Sequence, residues 1–357
     1  MVVAVICAAN PYSGGMYSVD LGAHSFFSKR KIPFRMFVAQ AGSKTPRELG
    51  ALKFDLLQTS DQLSDFSHVV YWGDFLNNPV YGARDFSQRD VQHRIVKTRE
   101  EGFARWMSIF APESVPKGQR LISVGGNFQH NVRENQMSAP RLMKAYDNIQ
   151  KNFVRLLPRD SFSVASLANH FDYENLSKIV PGIDCAFLCP SENPAQPTAH
   201  FSYLFGRSGY TDHKALVSRV ERETGLAGVK LSKWLKLPAD DFANAFEDRR
   251  SKMATAQFVL TDVYHVAINA MNLGVPVFGF GRPANVQEGT LGDMKKRYLF
   301  DMMGLRNYYF ETDTVDEFNT SRLGDYVSLA DGFRSKRAIA SALIARFEDD
   351  IEASLAI

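Results

Sequence analysis

Short apolar runs that lack a polar face, each followed by a stretch of helical periodicity, constrain this chain more than any other feature. Val2 to Cys7 is the first run, and the loop Asn10-Pro11-Tyr12-Ser13-Gly14-Gly15 hands it to a helical pattern reaching about Phe27. Ile32 to Val38, His68 to Trp72, Leu121 to Val124 and Phe153 to Leu156 are further runs of the same kind. A strand that is apolar on both faces has to be covered by helices on both faces. Alternation of such strands with helices implies βαβ units and a parallel sheet.

The segment Cys189 to Thr198 interrupts the rhythm with three prolines in ten residues and reads as a linker. A second alternation follows. Strands are expected over Phe201–Phe205, Val229–Leu231, Phe258–Leu260 and Val275–Phe280, with helices over Lys214–Thr224, Asp241–Ala254 and Ala267–Leu273. In the last segment Ile339, Leu343, Phe347, Ile351 and Leu355 recur four apart, as on one face of a helix. The expected α/β architecture is therefore two doubly wound Rossmann-type domains, 1–190 and 198–330, facing one another across a cleft, with a C-terminal amphipathic helix over 331–357. A chain of 357 residues suits two domains.

Composition narrows the function classes. With 42 basic and 39 acidic residues the chain has no nucleic-acid signature. Three cysteines, Cys7, Cys185 and Cys189, are too few and too odd for a disulfide framework and suit a reducing compartment. The N-terminus MVVAVICAAN has neither a basic start nor a cleavage pattern, and no stretch approaches ~18 uninterrupted apolar residues. The expectation is a soluble cytoplasmic protein. No Asp-x-Asp pair stands near an expected strand end, and no His/Cys cluster has ligand spacing. Metal-independent chemistry without a cofactor is expected. A Ser nucleophile elbow is missing as well, which disfavours a hydrolase.

The stretch FVLTDVYHVAINAMNLGVPVFGFG, residues 258–281, is the most informative. Ligands of open α/β sheets bind at the carboxyl ends of strands. The 258–260 run ends at Thr261-Asp262, which puts Tyr264 and His265 in the first turn of the next helix. The positive end of a helix favours an anion there. Asp262 is expected as the N-cap, accepting from the amide of His265. His265 can donate to a carboxylate or phosphate, or act as a general acid. The plain alternative is a helix-start histidine satisfied by backbone.

Thr261-Asp262-Val263-Tyr264-His265 and Gly274-Val275-Pro276 resemble the C-terminal motif of the polysaccharide pyruvyl transferase family, in which Thr-Asp-Arg-Leu-His is followed by a small-residue helix and Gly-Val-Pro. Collinear likenesses run along most of the chain: NPYSGGMYSVDL at 10–21, YWGDFLNN at 71–78, Arg159-Asp160-Ser161, Pro181-Gly182-Ile183-Asp184, and FSYLFGRSG at 201–209. The resemblance implies a GT-B-like fold with the active cleft between two Rossmann-type halves. It implies transfer of the pyruvyl group of phosphoenolpyruvate onto a sugar, forming a ketal, with His265 contacting the donor and Arg207 holding its anionic groups. One position departs from the pattern: Val263 stands where the family has arginine, a bidentate donor to phosphate or carboxylate. Arg207, Arg282, Lys295 or Lys296 takes its place, or the donor differs.

Pyruvyl transfer needs a proton donor, cations for the departing phosphate, and a base for the attacking hydroxyl. His265 is the candidate acid and Asp74, after Trp72-Gly73, the candidate base; Asp74 also reads as a turn cap. Arg207, Asp262, Tyr264, Arg282, Lys295 and Lys296 are the donor-side candidates. Tyr12, Gly14, Gly15 and Asn127 are the acceptor-side candidates. The glycines also read as a tight turn, Arg207 and Arg282 as loop residues, and the two lysines as a solvated face preceding a helix. Arg334, Lys336 and Arg337, expected at the start of the last helix, oppose its dipole and point to an external anion such as anionic lipid at the inner face of the membrane or a lipid-linked diphosphate acceptor. The leading expectation is a pyruvyl transferase acting on a surface polysaccharide or its precursor, with phosphoenolpyruvate and a sugar or glycan acceptor as partners. The alternatives are a GT-B glycosyltransferase using a UDP- or CMP-sugar, and a non-catalytic glycan-binding protein that kept the fold.

Overall fold

The computed structural model describes residues 2–10, 12–39, 48–129, 139–191, 196–283, 291–318 and 326–356. Two compact units form: one comprises residues 1–11, 16–189 and 345–357, the other 12–15 and 190–344. Residues 192–195, four of the ten in the expected linker, lie outside the described residues.

The first unit carries a six-stranded parallel sheet. Its strands are β1 (Val3–Cys7), β2 (Phe34–Val38), β5 (Asp55–Leu56), β6 (His68–Trp72), β7 (Arg120–Gly126) and β8 (Phe153–Pro158); β3 (Glu48–Leu49) and β4 (Leu52–Lys53) form a small separate hairpin. The sheet order is β5-β2-β1-β6-β7-β8. Every residue of β1 and β6 is buried, as strands apolar on both faces require. The chain winds outward from β1 to β5 and then restarts from β6 on the other side, so the topological switch falls between β1 and β6.

The second unit repeats the plan with β9 (His200–Leu204), β10 (Ala227–Lys230), β11 (Val259–Thr261), β12 (Val277–Gly281) and β13 (Tyr309–Glu311), in the order β10-β9-β11-β12-β13, all parallel. Here the switch falls between β9 and β11. Both sheets agree with the doubly wound reading, and the expected strands lie within three residues of the observed ends. The edge strands β5 and β13 went unexpected because two or three residues carry no period.

The last helix runs from Tyr326 to Ala356 and belongs to both units, to the second up to Ile344 and to the first from Ala345. That division explains a failed expectation. Phe347, Ile351 and Leu355 are buried, whereas Ile339, on the expected apolar face, is 45% exposed. Arg30 pairs with Glu348 and Glu352, and Phe347 packs beside Gly182. Among the described residues no helix is long and apolar enough to cross a membrane.

Candidate functional site

In the second unit the switch point brings together the loop after β9 and the turn after β11. Asp262 ends that turn, and its carboxylate is fully buried. It does not cap the next helix. Its oxygens accept from the amides of Gly206 (2.9 and 3.1 Å), Arg207 (2.9 Å) and Ser208 (2.7 Å). Three successive backbone N–H groups cradle an anion well, and here the anion is the chain's own. The expected contact to the His265 amide is thus replaced by a denser set of donors from a loop more than fifty residues away. The helix Tyr264–Asn272 starts with Val263 as N-cap, without a side-chain cap hydrogen bond; Thr261 Oγ1 accepts from the Val263 amide.

Two of the candidate donor-side cations serve the same loop. Lys296 is 2% exposed, and its ammonium donates to Ser208 Oγ (2.7 Å), Asp262 O (2.9 Å) and Phe280 O (2.9 Å) while pairing with Asp293 at 2.6 Å. Burial holds it below the ordinary lysine range, and the carboxylate of Asp293 works in the opposite direction. Arg282 donates to the carbonyls of Ser208, Gly209 and Asp313, and its guanidinium lies 5.2 Å from the Tyr210 ring centroid. The two are internal ties between the ends of β9, β11 and β12, not groups held out to a ligand. Lys295 and Lys296 do not precede a helix as expected: both lie inside the helix Leu291–Met302, while 288–290, the start of that run, lies outside the described residues.

The side chains left at the edge are Arg207, Lys295, Tyr264 and His265. Arg207 is exposed at the tip of the loop that Asp262 holds. Lys295 is half-buried, with its ammonium 5.3 Å from the Tyr264 ring centroid. His265 is half-buried and meets the Tyr264 ring edge-on at 5.2 Å between centroids. Val263 is buried, so the position that carries arginine in the resembling family here fills core.

The turn Tyr12–Gly15, expected on the acceptor side of the first domain, counts with the second unit. Gly14 N donates to Trp234 O at 3.0 Å and Leu237 N to Tyr12 O at 2.8 Å. Gly15 runs so close to His265 that a Cβ on it would stand 2.5 Å from Nδ1. A glycine is needed there for contact with the imidazole, a reason that neither the acceptor reading nor the tight-turn reading anticipated.

Asp74 and Asn127 sit together on the first unit, at the carboxyl ends of β6 and β7. Asp74 adopts a left-handed φ of 51°, directly after Gly73 at 75°. Its carbonyl accepts from Asn127 N at 2.7 Å. Asn127 is buried, and its Oδ1 accepts from Gln129 N. Sequence reasoning missed their neighbour Asp20. It is fully buried, and burial pushes its carboxyl well above the usual range; the Cys7 thiol draws it down and the charge of Asp74 adds to the rise. A lone acid inside an apolar helical stretch was the available signal.

The basic residues of the last helix are engaged as well. Lys336 donates to Gly304 O at 2.8 Å, and the Arg337 guanidinium packs over Gly274, both within the second unit. The Arg334 side chain lies outside the described residues. Among the described residues no group of three or more His, Cys, Asp or Glu is placed to hold a metal ion.

No protein-family model matches the chain, and no curated protein matches it. Among solved structures it is similar to the UDP-GlcNAc 2-epimerase of Neisseria meningitidis bound to UDP-GlcNAc, with a TM-score of 0.53 and 10% identity over 99% of each chain. It is also similar to Anabaena HepE in complex with UDP-glucose, with a TM-score of 0.51 and 10% identity over 100% of each chain. At such identity the likeness is one of fold, and the fold is GT-B-like: two Rossmann-type sheets and a C-terminal helix.

Proposed function

We propose that the chain is a GT-B-type transferase of glycan biosynthesis that takes a nucleotide-sugar donor at the carboxyl edge of its second sheet. The observation that carries this reading is the position of the switch point. It falls between β9 and β11, where Arg207 and the start of the Tyr264–Asn272 helix lie at the ends of neighbouring elements, and where Lys295, from inside the helix Leu291–Met302, brings its ammonium to 5.3 Å from the Tyr264 ring centroid. Ligands of open α/β sheets bind at such points, and a helix start flanked by two cations suits a diphosphate. The similar structures bound to UDP-GlcNAc and UDP-glucose support the choice of donor class.

In this reading the Asp262 carboxylate and the Lys296 and Arg282 ties fix the loop that carries Arg207. The guanidinium is then positioned before the donor arrives, which lowers the ordering cost of binding. Arg207 and Lys295 stabilise the charge that grows on the departing diphosphate, and His265 supplies it a proton. The attacking acceptor hydroxyl gives up its proton to a base.

Pyruvyl transfer from phosphoenolpyruvate is the second reading. It is favoured by the motif Thr261-Asp262-Val263-Tyr264-His265, and the buried Val263 weighs against it. Ligand-induced thermal shift separates the two. UDP-glucose, UDP-GlcNAc and a CMP-sugar are compared with phosphoenolpyruvate. Stabilisation by a nucleotide sugar that is lost in Arg207→Ala and Lys295→Ala supports the first reading. Stabilisation by phosphoenolpyruvate alone transfers the assignment to the second, and a chain that answers to none of them is not a transferase of either kind.

A further inference from the structure

Trp234 follows β10, and Phe246 and Arg250 stand one turn apart in the helix Phe242–Ala254. Helical side chains lean toward the N-terminus of their helix. In agreement, the Arg250 guanidinium lies over the ring one turn earlier, its Cζ 5.7 Å from the Phe246 centroid. That helix begins on the carboxyl side of β10, so the lean carries the guanidinium toward the ligand-binding edge of the sheet. The Trp234 ring flanks the same phenyl group at 5.4 Å.

Arg250 is 7% exposed and Trp234 fully buried. Nε and Nη2 of Arg250 and Nε1 of Trp234 meet no hydrogen-bond partner. Among the described residues no carboxylate forms an ion pair with Arg250; on the same stretch Asp248 pairs with Arg249 and Lys252, and Asp241 accepts from Asn244. Guanidinium and indole can only donate. A buried cation lacking a counter-charge is costly, and natural chains rarely keep one without use. Three donor groups around one phenyl ring therefore want an acceptor that carries negative charge.

We propose that Arg250 and Trp234 form an oxyanion subsite that receives a carboxylate or phosphate group. The turn carrying Gly14 borders it. A Cβ on Gly14 would stand 3.2 Å from the indole, so the glycine lets the backbone pass over the ring. The subsite uses none of the residues assigned to the nucleotide-sugar donor, and it stands or falls separately from that reading.

The test titrates the full chain with inorganic phosphate and, in parallel, with pyruvate, in buffer free of other oxyanions. Melting temperature and tryptophan fluorescence are followed. At saturation one of the two anions raises Tm by about 2–4 °C and changes the fluorescence; which one does so identifies the group as phosphate or carboxylate, and a response to both fits a subsite open to either. Arg250→Met abolishes the response while melting no lower than the parent without anion, because an uncompensated charge has been removed. Should Arg250→Met fail to fold, Trp234→Phe takes its place and weakens the binding about 5–10-fold. A parent chain that answers to neither anion overturns the proposal, as does an Arg250→Met or Trp234→Phe chain that binds as tightly as the parent. UDP-glucose is run beside each variant, and an unchanged shift there leaves the donor reading intact whatever the phosphate arm shows.

Discussion

At the residue scale, the fate of Asp262 decides how the second edge is built. A local rule places a cap there, because Asp before a helix ordinarily accepts from that helix. Three amides presented together by the 206–208 loop offer more, and the carboxylate turns to them. Asp262→Asn keeps the shape but removes the charge, and one of its two polar atoms becomes a donor facing donors. A loss of about 2–3 kcal/mol is expected, read as a lower urea midpoint at unchanged slope. Gly15→Ala tests the contact with the imidazole. Its methyl would stand 2.5 Å from His265 Nδ1, so the ring has to move. Nucleotide-sugar affinity is expected to fall at least ~10-fold while far-UV circular dichroism stays unchanged; unaltered affinity would remove His265 from the site. The imidazole and the glycine were each visible in the sequence, but their contact joins positions 250 apart, and no spacing rule reaches that far.

At the scale of elements, the strands were legible because burial on both faces writes a continuous apolar run. The roles of the lysines were not. Two adjacent lysines in a charged stretch look alike on paper, yet helical geometry points them apart by about 100°. Lys296 goes inward to three strand-end acceptors, and Lys295 lies over Tyr264. Their substitutions should separate accordingly. Lys296→Met leaves Asp293 without its buried partner and is expected to cost about 3–5 kcal/mol. Lys295→Ala is expected to change stability by no more than ~0.5 kcal/mol and to weaken the anionic donor instead. Chemical denaturation of the two variants checks the pair, and equal losses would contradict the division of labour.

At the scale of the whole molecule, both units repeat one plan, and each places its polar residues at the carboxyl ends flanking its own switch point. In the first unit that edge is acidic. Asp20 stays buried, with its carboxyl pushed up by desolvation, so the folded chain retains a proton that the unfolded chain releases near pH ~4. Between that pH and the raised value the native state binds the extra proton, and stability falls as pH rises. Asp20→Asn, neutral at every pH, should therefore melt increasingly above the parent as pH climbs from about 4 to about 8. A constant difference across that range would mean that Asp20 is ionised in the fold. The two doubly wound halves were legible from alternation and the proline-rich break, and the GT-B-like class through the resemblance carried by the motif at 261–276. The donor was not, because motif spacing reports where a helix starts and not which anion it meets.

The most direct measurement of the central claim is amide hydrogen exchange of the full chain with and without saturating UDP-glucose or UDP-GlcNAc. Slowed exchange is expected in peptides covering 205–210 and 262–266, the two segments that meet at the β9–β11 switch. Protection confined to other segments, or exchange identical with and without either sugar nucleotide, would contradict a donor site at that edge.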